Sequence, residues 1–247
     1  MLKLNDANLH KKKTKISYIF AKTIQTKNES YKMKLKKFIF NRIQVNTYLL
    51  TDENTFETII IDPGCQSNEE KKILSQYIEE NQLKIRMVLN THLHFDHIYG
   101  NRYIQEKYGV GAIGSKEDIF FLNHYQDLLA LFEMPIDEDA LPLQRYISDG
   151  DCLQLASMEL HVLAVPGHSP GGLAFYMPKE NCVFVGDTIL EGGIGRTDLH
   201  RGNYDTLLNS IKTKLLPLPD DTIIYSGHGR SSTIKYEKLN NPYLQNL

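Results

Sequence analysis

A layered α/β domain, two sheets packed together with helices outside them, is the fold class that the sequence predicts. Three observations lead there. From residue 34 onward short β-branched and aromatic runs dominate, and each half of the chain passes from several such runs to a helix. The 247 residues are 41% hydrophobic and 23% charged, which suits a globular chain with a sizeable core and not a disordered or fibrous one. Histidine and aspartate recur just past the ends of apolar runs, where loops on a rigid scaffold collect functional groups.

The elements follow in order. Residues 1–32 hold eight lysines against two acidic residues and no sustained apolar pattern, so they are expected to be a basic, disordered extension. Residues 33–247 are expected to form the folded domain. Phe38 to Phe40, Thr47 to Leu50 and Thr58 to Ile61 read as strands, and Asp62-Pro63-Gly64 stops the third. Asn68 to Gln82 reads as a helix with Ile73, Leu74, Tyr77 and Ile78 on one stripe. Ile85 to Leu89 is a buried strand, Ile98 to Tyr108 a helix ended by Gly109, and residues 116–142 helical segments interrupted at Pro135 and Pro142. The second half repeats the order. Strands are expected at Cys152 to Leu155, Met158 to Val165, Leu173 to Met177, Cys182 to Val185 and Thr222 to Tyr225. A helix is expected from Tyr204 to Leu216 and a short one at the end.

Charge and cysteine content narrow the function. The net charge is −2; with +6 in residues 1–32, residues 33–247 carry −8. An acidic body disfavours a broad nucleic-acid-binding face. No stretch approaches the roughly 20 apolar residues of a membrane span. Cys65, Cys152 and Cys182 are too few and too scattered for a disulfide framework, so a reducing cytoplasm is expected.

The chemistry concentrates at strand ends. His92, His94 and His97 lie in Thr91-His92-Leu93-His94-Phe95-Asp96-His97, just past the Ile85–Leu89 strand. In an extended turn His92 and His94 point the same way, and Asp96 and His97 reach a second point close by. His168 follows Val165-Pro166-Gly167, Asp187 follows Val183 to Gly186, and His228 follows Ile223 to Gly227. Meeting on one rim, these strand ends bring together five imidazoles and two carboxylates. Such N and O ligands suit zinc, iron or manganese, with no thiolate to demand a softer ion.

These residues resemble the metallo-β-lactamase superfamily. His92, His94, Asp96 and His97 meet its His-x-His-x-Asp-His motif, and His168, Asp187 and His228 match its later ligands. The resemblance runs from about Lys34 to Leu247 and implies an αββα four-layer sandwich. It also implies two divalent metal ions, zinc first with iron or manganese as alternatives. One ion would be held by His92, His94 and His168 and the other by Asp96, His97 and His228, with Asp187 bridging and Asp96 also counted as catalytic. Gly186-Asp187-Thr188, Gly195-Arg196-Thr197-Asp198 and Gly227-His228-Gly229 resemble short, single-domain glyoxalase II-like (hydroxyacylglutathione hydrolase-like) thioesterases. The implied reaction is attack of a metal-bound hydroxide on a small-molecule thioester, with no nucleic acid or membrane as partner; the oligomeric state stays open. The chain is expected to lack the C-terminal helical region with which full-length glyoxalase II holds glutathione, which puts glutathione specificity in question. The nearest alternative is a persulfide dioxygenase of the same fold, whose single iron ligands match His92, His168 and Asp187. A metallo-nuclease of the superfamily would add a clamp domain that this acidic body does not contain.

The remaining candidates carry less. Arg196 and Asp198 either orient a ligand from behind, or Arg196 binds a substrate carboxylate, or the two form an ion pair in a glycine-rich loop. Cys65 is expected near the rim as a partly buried thiol. His161 is expected on a sheet face, and His10, His124 and His200 at the surface. Phe95 and Tyr99 either line a pocket or pack beneath the ligand loop.

Overall fold

The computed structural model describes residues 22–25, 32–134 and 138–245. Its first half opens with β1 (Lys22–Gln25), β2 (Lys32–Phe40), β3 (Val45–Asp52) and β4 (Glu57–Ile61). Helix α1 (Asn68–Glu80) leads to β5 (Lys84–Leu89), and α2 (Phe95–Ile98) with α3 (Asn101–Tyr108) lead to β6 (Ala112–Gly114). Helices α4 (Ile119–Asn123) and α5 (Tyr125–Leu131) precede β7 (Arg145–Tyr146). The seven strands lie side by side in chain order, antiparallel up to β4 and parallel beyond it.

The second half runs through β8 (Cys152–Leu155), β9 (Met158–Ala164), β10 (Leu173–Met177) and β11 (Cys182–Gly186). A small hairpin, β12 (Ile189–Leu190) and β13 (Gly193–Ile194), precedes α6 (Tyr204–Ser210), β14 (Ile223–Ser226), β15 (Ser232–Thr233) and α7 (Ile234–Asn240). The second sheet has the order β15-β14-β11-β10-β9-β8, with β11 and β14 parallel.

Strand alternation builds three apolar layers. On β3, Tyr48 and Leu50 face the other sheet, while Val45 and Leu49 face the helices of the first half. On β4, Ile59 and Ile61 face inward and Ile60 outward. Phe175 and Phe184 of the second sheet meet the inner layer, whereas Ala174, Val183 and Val185 pack against Leu207, Ile211 and Ile234. Helix, sheet, sheet, helix is therefore the order of layers, the αββα sandwich expected from the resemblance. Because both faces of these strands are covered, they read as continuous apolar runs.

The local expectations hold with instructive exceptions. Helix α1 starts where Ser67 caps it and Glu70 completes the capping box, and it stops at Glu80, short of the expected Gln82, whose φ is 53°. The helix expected over 98–108 is split into α2 and α3. Gly100 presses against the Asp62-Pro63-Gly64 turn, its N–H donating to Pro63 O at 2.6 Å, and a Cβ there would meet both Pro63 O and Cys65 Sγ at 2.6 Å. The expected helix from Tyr204 to Leu216 becomes α6 followed by a wider π-helical turn over Ile211–Leu215. Within the segment expected as an extension, Lys22–Gln25 pairs with Lys32–Leu35 as an edge strand; most of residues 1–31 lie outside the described residues, as does His10. Among the described residues no helix is long and apolar enough to cross a membrane.

Candidate metal centre

Five strand ends meet on one rim: β4 delivers Asp62, β5 the 91–97 loop, β9 the loop to His168, β11 Asp187 and β14 His228. Several bonds join the sheets there, two of them short tethers from β3. Asn46 N–H donates to Gly227 O at 2.6 Å, and the Tyr48 hydroxyl donates to Ser226 O at 2.7 Å.

All seven sequence-predicted ligands converge. His92, His94 and His168 form one trio and Asp96, His97 and His228 another, the ligand atoms of each lying within 4.8 Å of one another. Asp187 stands between them, with Oδ1 3.6 Å from His97 Nε2 and Oδ2 3.7 Å from His168 Nε2 and 3.5 Å from His228 Nε2. Asp96 and His97 reach the second trio because α2 begins at Phe95 and turns them off the extended His92–His94 segment.

The arrangement fits divalent metal ions. Nε2 of His92, His97 and His168 and Oδ1 of Asp187 are buried without a hydrogen-bond partner, all turned into the same centre. Buried polar atoms left unpaired are costly, and four of them aimed at one point call for a cation. Each of those rings is fixed from behind. His92 Nδ1 is 3.1 Å from Thr91 Oγ1, His97 Nδ1 3.0 Å from Asp62 Oδ2, and His168 Nδ1 2.7 Å from Arg196 O. Partners of this kind set the tautomer that leaves Nε2 free as a ligand. Burial, with the neighbouring His168, holds His94 neutral by pushing its pKa down to about 3, and burial with nearby imidazoles depresses His92 as well. Burial alone would lower His97, but Asp96, Asp187 and Asp62 outweigh it and raise it.

Two supporting carboxylates escaped the sequence reading, which took Asp62 only as part of a turn and Asp118 as part of a helical stretch. Buried Asp62 accepts from Thr91 N–H at 2.8 Å and Thr91 Oγ1 at 2.6 Å besides holding His97. Buried Asp118 accepts from Leu93 N–H, Ser169 Oγ and Gly171 N–H, and so joins the loop carrying His92 and His94 to the loop carrying His168. Asp62 could have been found by the rule that located Asp187, since it too is an acid directly after an apolar strand. Asp118 has no such local mark.

Arg196 contributes through its main chain. Its guanidinium is exposed and doubly bonded to Asp198 at 2.9 Å, an ion pair within the loop. Cys65 is fully buried in the core instead of lying partly buried at the rim, because Gly100 closes over it, and burial raises its thiol to about 12. Phe95 lines the cavity over the centre, while Tyr99 packs into the core. His161 is exposed on β9, hydrogen-bonded to Glu159 at 2.8 Å; His124 is exposed, and so is His200, which edges the cavity.

A model of the metallo-beta-lactamase superfamily matches residues 41–228, spanning β3 to β14, all seven converging residues and both tethers. The chain belongs to the metallo-beta-lactamase superfamily. It is a metal-dependent hydrolase of that superfamily, similar to hydroxyacylglutathione hydrolase GloC of Haemophilus influenzae, with 39% identity over 202 residues, 81% of this chain and 93% of the relative. Among solved metallo-beta-lactamase structures, the BLEG-1 B3 enzyme superposes with a TM-score of 0.78 at 32% identity, over 85% of this chain and 99% of that one. TTHA1623, solved in a di-iron-bound form, superposes with a TM-score of 0.75 at 29% identity, over 84% and 99%.

Proposed function

We propose that this enzyme hydrolyses small-molecule thioesters of the hydroxyacylglutathione type at a two-metal centre. His92, His94 and His168 would hold one ion and Asp96, His97 and His228 the other, with Asp187 shared between them. Zinc is the expected ion, and the same donors accept iron or manganese. The observation that carries the metal assignment is the set of partnerless Nε2 atoms facing Asp187. The substrate class is supported by the likeness to a relative named hydroxyacylglutathione hydrolase.

Divalent ions in such a centre supply Lewis acidity toward a carbonyl and make water acidic at neutral pH. The chain supplies position and charge. Burial would push the Asp96 carboxyl up, but His97 and His228 outweigh it and keep it ionised, able to accept a hydrogen bond from water beside the scissile carbonyl. The Arg196 carbonyl, the Thr91 hydroxyl and the Asp62 carboxylate hold the imidazoles in one orientation. In the reaction water adds to the carbonyl carbon, the carbon–sulfur bond breaks with its electron pair going to sulfur, and a carboxylate and a thiol leave.

The test is metal analysis together with turnover of S-lactoylglutathione and O₂ uptake with glutathione persulfide. Two metals per chain and thioester hydrolysis are expected, with bound metal lowered and hydrolysis lost in His168→Ala. One iron with rapid O₂ uptake and no hydrolysis would assign the centre to persulfide oxidation instead.

A further inference from the structure

A cavity of about 520 Å³ opens directly over the two trios, and its walls are apolar. Phe95, Phe121, Leu128, Leu131 and Phe132 form one side, and Leu190, Ile194 and Leu199 the other. The apolar wall begins at the centre itself. The Phe121 ring lies 4.6 Å from the His94 ring, edge to face, and the Phe95 ring lies 5.2 Å from that of Phe132. Outward, the wall stays apolar where solvent reaches it: Leu131 is 74% exposed, Phe132 39% and Ile43 38%. Large apolar side chains left in water around one concavity mark a surface that is covered in use.

Charge points the same way. Among the described residues lining the cavity, Arg196 is the one arginine or lysine, and its Nε and Nη2 groups already donate to Asp198. Arg42, which donates to Glu133 O at 2.9 Å, is not among the residues lining the cavity. Beyond the two trios the lining offers an anionic acyl arm little positive charge, whereas an alkyl or aryl arm finds matching walls.

Resting on the thioesterase reading but departing from its hydroxyacyl group, we propose that the cavity selects thioesters with an apolar acyl arm, a medium-length alkyl chain or an aryl group, attached to the reacting carbonyl. Leu131 and Phe132 on one rim and Leu190 and Ile194 on the other determine that preference. The acyl arm lies between these walls, and the charged or polar thiol half points to solvent.

The test uses zinc-loaded enzyme and acetyl, butanoyl, hexanoyl and octanoyl thioesters of N-acetylcysteamine, a thiol without charge. kcat/KM should climb about two- to fourfold per added methylene, the increment expected for apolar burial. Leu131→Glu, at an exposed position that tolerates a charge, should cut the octanoyl-to-acetyl ratio at least tenfold. A flat series, or a preference of tenfold or more for S-lactoylglutathione over the hexanoyl ester, would overturn the proposal. Calorimetry with the non-hydrolysable ketone analogues of the same acyl series separates the pocket from the chemistry. If no thioester is cleaved but affinity still rises with chain length and falls in Leu131→Glu, the pocket stands and the thioesterase reading fails. Affinity independent of chain length overturns the pocket.

Discussion

Asp62 Oδ2 lies 3.0 Å from His97 Nδ1, and both residues are buried. One acid at the end of β4 thus orients an imidazole of the metal centre while its remaining bonds hold Thr91 at the end of β5. Asp62→Asn keeps the shape but offers an amide N–H where an acceptor is needed, which disfavours the tautomer that frees His97 Nε2. Metal affinity should fall tenfold to a hundredfold, read by competition with a chelator, while circular dichroism stays unchanged. Undiminished affinity would show that Asp62 serves Thr91 alone.

Asp118→Ala should destabilise the fold by about 3 kcal/mol, because it strands three buried donors on two loops. Urea denaturation measures it. A loss below about 1 kcal/mol would mean that water replaces the carboxylate.

Gly227→Ala tests how closely the backbone must pass the centre. A Cβ there would stand 2.2 Å from Asp187 Oδ1 and 2.7 Å from His97 Cε1. Both would have to move, so bound metal and turnover should drop together, with a stability loss of about 1–3 kcal/mol. Normal metal content in the variant would contradict the crowding.

Acid stability should depend on Asp52. Burial pushes its carboxyl up, but hydrogen bonds from Ser157, Thr55 and Asn54 outweigh that and hold it below the usual carboxylate range. The folded state then binds fewer protons than the unfolded chain, whose aspartates titrate near about 3.9. Stability from this group is complete above that value and is lost as pH falls through the lowered pKa. Asp52→Asn should therefore be less stable than the parent at pH 6, with the gap narrowing by pH 3. An equal gap at both pH values would assign the loss to geometry instead of charge.

The ligand set was legible because its chemistry is local: histidine and aspartate stand immediately after apolar runs, and strand ends become rims. Two sheets with helices outside were legible from the passage of each half from strands to a helix, and the αββα sandwich from the resemblance; Tyr48, Leu49 and Leu50 in succession fit it, being buried on both faces of β3. What stayed hidden depends on contacts distant in sequence. Asp118 earns its place from Ser169 and Gly171, about fifty residues away. The split between α2 and α3 comes from the press of Gly100 on Pro63, which no helical period records. β6 and β7, three and two residues long, are too short to show alternation.

The trios have a consequence for how the protein comes apart. His92 and His94 come from the first half of the chain and His168 from the second; Asp96 and His97 likewise meet His228. An ion in either place would be a rivet between two separately wound halves, and neither half alone could hold it. Stability then scales with free metal concentration, since only the joined state binds. A strong chelator would act on this enzyme as a seam-ripper, loosening the rim long before it touched either sheet.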